Sequence, residues 1–214
     1  MTEQEWLTAT DPDPMMLFGF GKMSSRKLRL FGCACCRPIW RQMSDEKARR
    51  VINVVEQFAD GQATLDEACF AWIGCKDAQG EASRTARELG LAATRPVLAG
   101  KVAYAAQSAA RVGGLDPVAI QRCQARLLRD IVGNPFRPGI LDRSWRTSIV
   151  TNLAQAIYEE RQLPSGHFDK ERMGVLADAL EEAGCDNTDI LGHLRGGGDH
   201  VRGCWAVDLI LDKK

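Results

Sequence analysis

Nothing in the 214 residues approaches the ~18 consecutive apolar positions that a membrane-spanning helix needs. Neither sign of charge is in excess, since 28 Lys plus Arg stand against 28 Asp plus Glu. That balance argues against nucleic acid as a main partner, because a dedicated binder carries a basic surplus or stripe. The arginine-rich spots "KARR" and "RLLRD" have acids nearby and read as solvated helix faces. The opening "MTEQEWLTATDPDP" is acidic and polar, so it reads as neither a secretory signal nor a transit peptide. A cytoplasmic protein is expected, with no membrane partner. In a reducing compartment the eight cysteines would be free thiols or metal ligands.

Catalytic signatures are also missing. There is no phosphate-binding glycine loop: "GFGKMSS" lacks the leading glycine of that motif and follows no strand. No G-x-S-x-G occurs, and no Glu stands three residues before His167, His193 or His200. This removes the Glu-x-x-His signal of di-metal bundles. No alternation at period two is sustained, and no internal repeat stands out.

What is present is helical periodicity. Leu28, Phe31, Cys35 and Ile39 follow the i, i+3, i+4 rule until Pro38 interrupts. Ser44 is a candidate N-cap for a helix carrying Val51, Val54, Val55 and Phe58 inward and stopping near Gly61. Thr64 and Glu67 form a capping-box spacing ahead of Leu65, Ala68 or Cys69, Trp72 and Ile73. An alanine-rich stretch from Gly80 to Arg111 is divided by Pro96. Asp116 and Pro117 open the next helix as N-cap and N1. "GNPFRPGILDRSW" reads as an ordered loop. Ile149, Leu153, Ile157 and Tyr158 mark the following helix, and Asp169 caps one that ends at Gly184. The last element, "HVRGCWAVDLIL", is compatible with helix or strand; helix is favoured, capped by Asp199, with Val201, Trp205 and Leu209 aligned. The expected fold is all-α, a single multi-helix domain over 1–214, with a soft division into two lobes near 112–140.

The cysteines raise the question of metal. Cys33 and Cys36 have the local C-x2-C spacing, but Cys35 points away from them on a helix, and no second such pair exists. The C-terminal set is better: Cys185, His193, His200 and Cys204 lie within twenty residues, and a helical His200–Cys204 pair would share a face. The competing reading treats thiols as small apolar filler, which fits Cys69, Cys123 and Cys204. Asp178 and Asp208 each sit in an apolar helical window. They are expected to need an arginine, with Arg195 and Arg202 as local candidates.

The blocks "EWLTATDP", "RKLRLFGCACCRPIW", "LLRDIVGNPFRP", "LAQAIYEER", "LADALEEAGC" and "HVRGCWAVDLIL" resemble a family of planctomycete bacterial proteins and domains without an established activity. The resemblance spans most of the chain. It implies a cytoplasmic bacterial domain and marks Cys33, Cys35, Cys36, Cys185, His200, Cys204 and Trp205 as signature positions. Leu194 departs from the pattern, in which a cysteine often follows the histidine.

Two functions from different classes lead, with a small-molecule enzyme whose pocket lies between helices as a third. One is a non-catalytic interaction or adaptor module with a protein partner and no cofactor, contacting it through Phe136, Arg137 and Trp145 in the proline-rich loop, since aromatics and arginine anchor interfaces. The alternative is a zinc-binding protein using Cys185, His193, His200 and Cys204.

Overall fold

The computed structural model describes all 214 residues and is all-α, as the periodicity requires. Twelve helices follow one another: α1 (Glu3–Thr8), α2 (Pro12–Gly19), α3 (Ser25–Cys36), α4 (Glu46–Ala59), α5 (Leu65–Gly74), α6 (Glu81–Thr94), α7 (Ala99–Val112), α8 (Pro117–Val132), α9 (Ser148–Glu159), α10 (Lys170–Glu182), α11 (Thr188–Arg195) and α12 (Trp205–Leu211). No helix is long and apolar enough to cross a membrane.

Local chemistry sets most boundaries. Pro38 cannot donate to Ala34, so α3 gives way to a 3-10 segment, Arg37–Gln42. Pro96 separates α6 from α7 in the same manner. Thr64 and Glu67 close the capping box on α5. Asp116 caps α8 with Pro117 at its first position, and Gly133, at φ +75°, ends it.

α3 is the hub. It packs against α4, α6, α7 and α8. Its Leu28, Phe31 and Cys35 face inward with Ile39, and all four are buried. Complete burial of a side chain such as Phe31 contributes about 1.5–3 kcal/mol. The alanines of α6 and α7 keep the partner surfaces shallow, so helix axes come close. Gly32 on α3 leaves room for Leu89 of α6, from which an added Cβ would lie 2.9 Å.

The interior falls into two apolar clusters. The first runs from Trp6 to Ile131 and includes Val201. The second runs from Val150 to Ile210, built by α9–α12. A polar seam joins them. Arg26 on α3 donates from Nη1 (2.7 Å) and Nη2 (3.1 Å) to the carboxylate of Asp208 on α12, and from Nε to Asp60 at 3.0 Å. Arg37 and Arg161 converge on buried Glu56.

Several expectations need correction. The N-cap of α4 is Asp45, not Ser44, because the Asp45 carboxylate accepts from Lys47 N–H. On α5, Leu65 and Ile73 are exposed; this peripheral helix docks through the small Ala68, Ala71 and Cys75 instead. On α9 the inward phase is Val150, Ala154, Ile157 and Tyr158, and Ile149 is 67% exposed. Those four positions fall at i, i+4, i+7 and i+8, whereas the predicted set falls at i, i+4, i+8 and i+9. Asp178 lies on the surface with Arg195 at 2.8 Å. Asp208 is buried as expected, but Arg26 holds it, while Arg202 reaches toward Asp60 at 3.7 Å.

The largest departure is at the C-terminus. The last helix starts at Trp205, and Asp199 pairs with Lys170 at 3.1 Å instead of capping. His200 and Val201 are drawn into extended pairing: Phe168 N–H donates to His200 C=O at 2.8 Å, and Val201 bridges His167. Gly203, at φ +93°, then turns the chain so that Cys204 N–H returns to Val201 C=O at 2.9 Å.

Candidate metal centre

Three elements aim polar side chains at one point. Asp130 lies near the end of α8, at an inward position between Leu127, Leu128 and Ile131. His193 lies in the last turn of α11. His200 and Cys204 sit either side of the Gly203 turn. One ligand atom from each of Asp130, His193, His200 and Cys204 falls within 4.8 Å of every other. Asp130, His200 and Cys204 are buried, and the His193 side chain is 19% exposed.

The separations suit a four-coordinate ion. His193 Nε2 is 3.2 Å from Cys204 Sγ and 3.2 Å from Asp130 Oδ1. Cys204 Sγ is 3.9 Å from His200 Nδ1. Zinc bonds of about 2.0–2.3 Å at tetrahedral angles place ligand atoms about 3.3–3.7 Å apart. A shorter edge, 2.7 Å between His200 Nδ1 and Asp130 Oδ1, is a hydrogen bond that an ion would replace. The second carboxylate oxygen is already held, accepting Val201 N–H at 3.0 Å. A ligand whose free oxygen is fixed by backbone is oriented before any ion arrives.

The electrostatics are those of a charged cluster out of water. Burial pushes the Asp130 carboxyl up, but hydrogen bonding to His193 and His200, with their charge, brings it down to about 2. Burial works against a charged His200, yet the hydrogen bond to Asp130 and the carboxylate charge raise it above its ordinary value. Burial and then the Asp130 charge push the Cys204 thiol well up. His200 Nε2 is buried and has no hydrogen-bond partner.

A Cys–His–Asp nucleophile is the other chemistry such a set could perform. Cys204 has no exposed surface, so a substrate cannot reach its sulfur. A closed set of four donors instead matches a structural ion site.

The structure brings together His193, His200 and Cys204, and it separates Cys185 from them. Cys185 follows the Gly184 turn, its N–H returns to Leu180 C=O at 3.0 Å, and its side chain is buried in the second cluster. Asp130 takes the fourth place, which the sequence reading missed. Its signal was a carboxylate at an inward helical position, the same signal that singled out Asp208. Cys33, Cys35 and Cys36 stay in the first apolar cluster, where burial pushes their thiols up.

The loop residues proposed as contacts all have intramolecular partners. Phe136 stacks on Phe18 with ring centroids 5.1 Å apart. Arg137 Nε donates to Glu3 at 2.6 Å. Trp145 packs against the second cluster. Trp205, beside the centre, lies 4.9 Å from the His193 ring and is seated on Gly133 and Gly139, where added Cβ atoms would come within 3.0 Å and 2.5 Å. No family model, curated protein or solved structure matches the chain.

Proposed function

We propose that this chain is a zinc-binding helical protein in which Asp130, His193, His200 and Cys204 hold one structural ion. The observation that carries the reading is the convergence of these four donors from three separate chain segments, with three of them buried. One thiolate, two imidazoles and one carboxylate form a borderline donor set. Sulfur disfavours magnesium and calcium, and four protein donors suit tetrahedral zinc. Asp130 belongs to a helix of the first apolar cluster, while Cys204 belongs to the second. An ion there would clamp the two cores together, so its binding free energy would add to folding.

The test is zinc content with thermal unfolding of protein purified without added metal. About one zinc per chain and a melting temperature lowered by a strong chelator support the reading. Metal-free protein whose melting ignores both zinc and chelator refutes it.

A second reading, the adaptor module, draws on a different observation. Phe70 on α5 is 73% exposed, and Ile73, one turn on along the same helix, is also exposed. Its test is self-association and partner capture with a Phe70→Ser variant; unchanged behaviour removes it. The family resemblance and a bacterial cytoplasmic setting belong to the same proposal, and a reduced-thiol count on freshly lysed protein checks the compartment.

A further inference from the structure

A cavity of about 320 Å³ opens beside the metal centre. Its walls include the indoles of Trp6 and Trp205, the side chains of Leu7 and Val132, and the polar groups of Arg129 and His193. Arg129 is the unusual member. It is partly buried, and its Nη1 donates to the carbonyls of Trp6 at 3.1 Å and Ala9 at 2.9 Å. Nε and Nη2 have no protein acceptor, and neither is sealed from solvent. No carboxylate pairs with it. Arg137, at the same cavity, is by contrast neutralised by Glu3. Burial and the charge of Arg126 hold the Arg129 guanidinium below its ordinary value, as expected of a cation short of a counter-ion.

We infer that this cavity binds a small monocarboxylate with an apolar body, its carboxylate paired with Arg129 and its body against Trp205 and Leu7. A guanidinium offers two parallel N–H donors to a carboxylate and sheds its weak hydration readily. The volume is at the lower end for small-molecule pockets, which limits the ligand to roughly the size of an amino acid. Asp189 also lines the cavity, but its charge acts on Arg137, which leaves Arg129 as the cavity cation without a carboxylate partner. The site shares only His193 with the metal centre, so it does not depend on the zinc reading.

The test is calorimetric titration with phenylacetate and with phenylacetamide, its neutral counterpart. Saturable one-to-one binding of the acid is expected, with the amide at least tenfold weaker. Arg129→Gln should lower affinity at least tenfold. Because Arg129 also ties down the N-terminal segment, Leu7→Glu provides a second arm. Leu7 is half exposed, so this variant should keep its melting temperature while its new carboxylate weakens binding at least tenfold. Binding that survives chelator treatment supports the inference. Equal binding of acid and amide, no saturable heat, full affinity in Leu7→Glu, or binding that disappears with chelator yet survives Arg129→Gln would each overturn it.

Discussion

Asp130 Oδ1 and His200 Nδ1 lie 2.7 Å apart in a buried site, although seventy positions separate them in the chain. This contact ties the end of α8 to the C-terminal turn. It also fixes the geometry in which His193 and Cys204 complete a four-donor set. The same junction between the two apolar clusters is crossed a second time by Arg26 on Asp208 and a third time by Arg161 on Glu56.

Arg26 is the stability determinant of that second crossing. It serves Asp60 and Asp208 and also donates to Tyr158 Oη at 2.8 Å. Removing one member of a buried ion pair leaves an uncompensated charge and costs about 3–5 kcal/mol. Arg26→Met should therefore lower the urea midpoint by a corresponding amount without changing the slope. An unaffected midpoint would mean that the seam contributes nothing.

Glu56 predicts an acid limb. Burial raises its carboxyl, but hydrogen bonding from Arg161 and the charges of Arg37 and Arg161 outweigh that, and it ends below its ordinary value. A group whose pKa is depressed by folding stabilises the native state above its unfolded value, about 4.3 for Glu. That contribution is complete at neutral pH. It fades as pH falls below about 4, through the lowered folded value. Glu56→Gln should be less stable at pH 7 and should show a flatter stability profile between about pH 5 and 3. A profile parallel to the wild type would exclude Glu56 as a contributor.

Thiol reactivity should sort by burial. Cys69 and Cys123 are only partly buried, whereas Cys33, Cys35, Cys36 and Cys204 are enclosed. Burial holds Cys33 and Cys35 well above the ordinary thiol value, so little thiolate is available there. Alkylation of the native protein followed by peptide mapping should modify Cys69 and Cys123 first. The "CACC" cysteines should react only on unfolding. Early modification of Cys35 would contradict their role as core filler.

Much of this was legible in the residues. Prolines, glycines and capping side chains placed most helix boundaries, because these signals act within one turn of chain. Phase was harder to read on α9, where two apolar stripes overlap and only the neighbouring helices choose between them. The metal centre was half legible. His193, His200 and Cys204 announced themselves by type and proximity. The helical reason given for the last pair was wrong, since the Gly203 turn, not an i, i+4 helix face, brings them together. Cys185 was chosen for closeness in sequence, but the Gly184 turn anchors it under α10. Asp130 was hidden because its partners lie in another part of the chain.

The central claim is tested most directly by zinc stoichiometry in two variants compared with wild type. Asp130→Asn removes a donor that only the three-dimensional arrangement identifies, and Cys185→Ser removes one that sequence proximity alone suggests. The account predicts about one zinc per chain in the wild type and in Cys185→Ser, with at least a tenfold loss of zinc affinity in Asp130→Asn. Zinc absent from the wild type, or retained by Asp130→Asn and lost from Cys185→Ser, would contradict it.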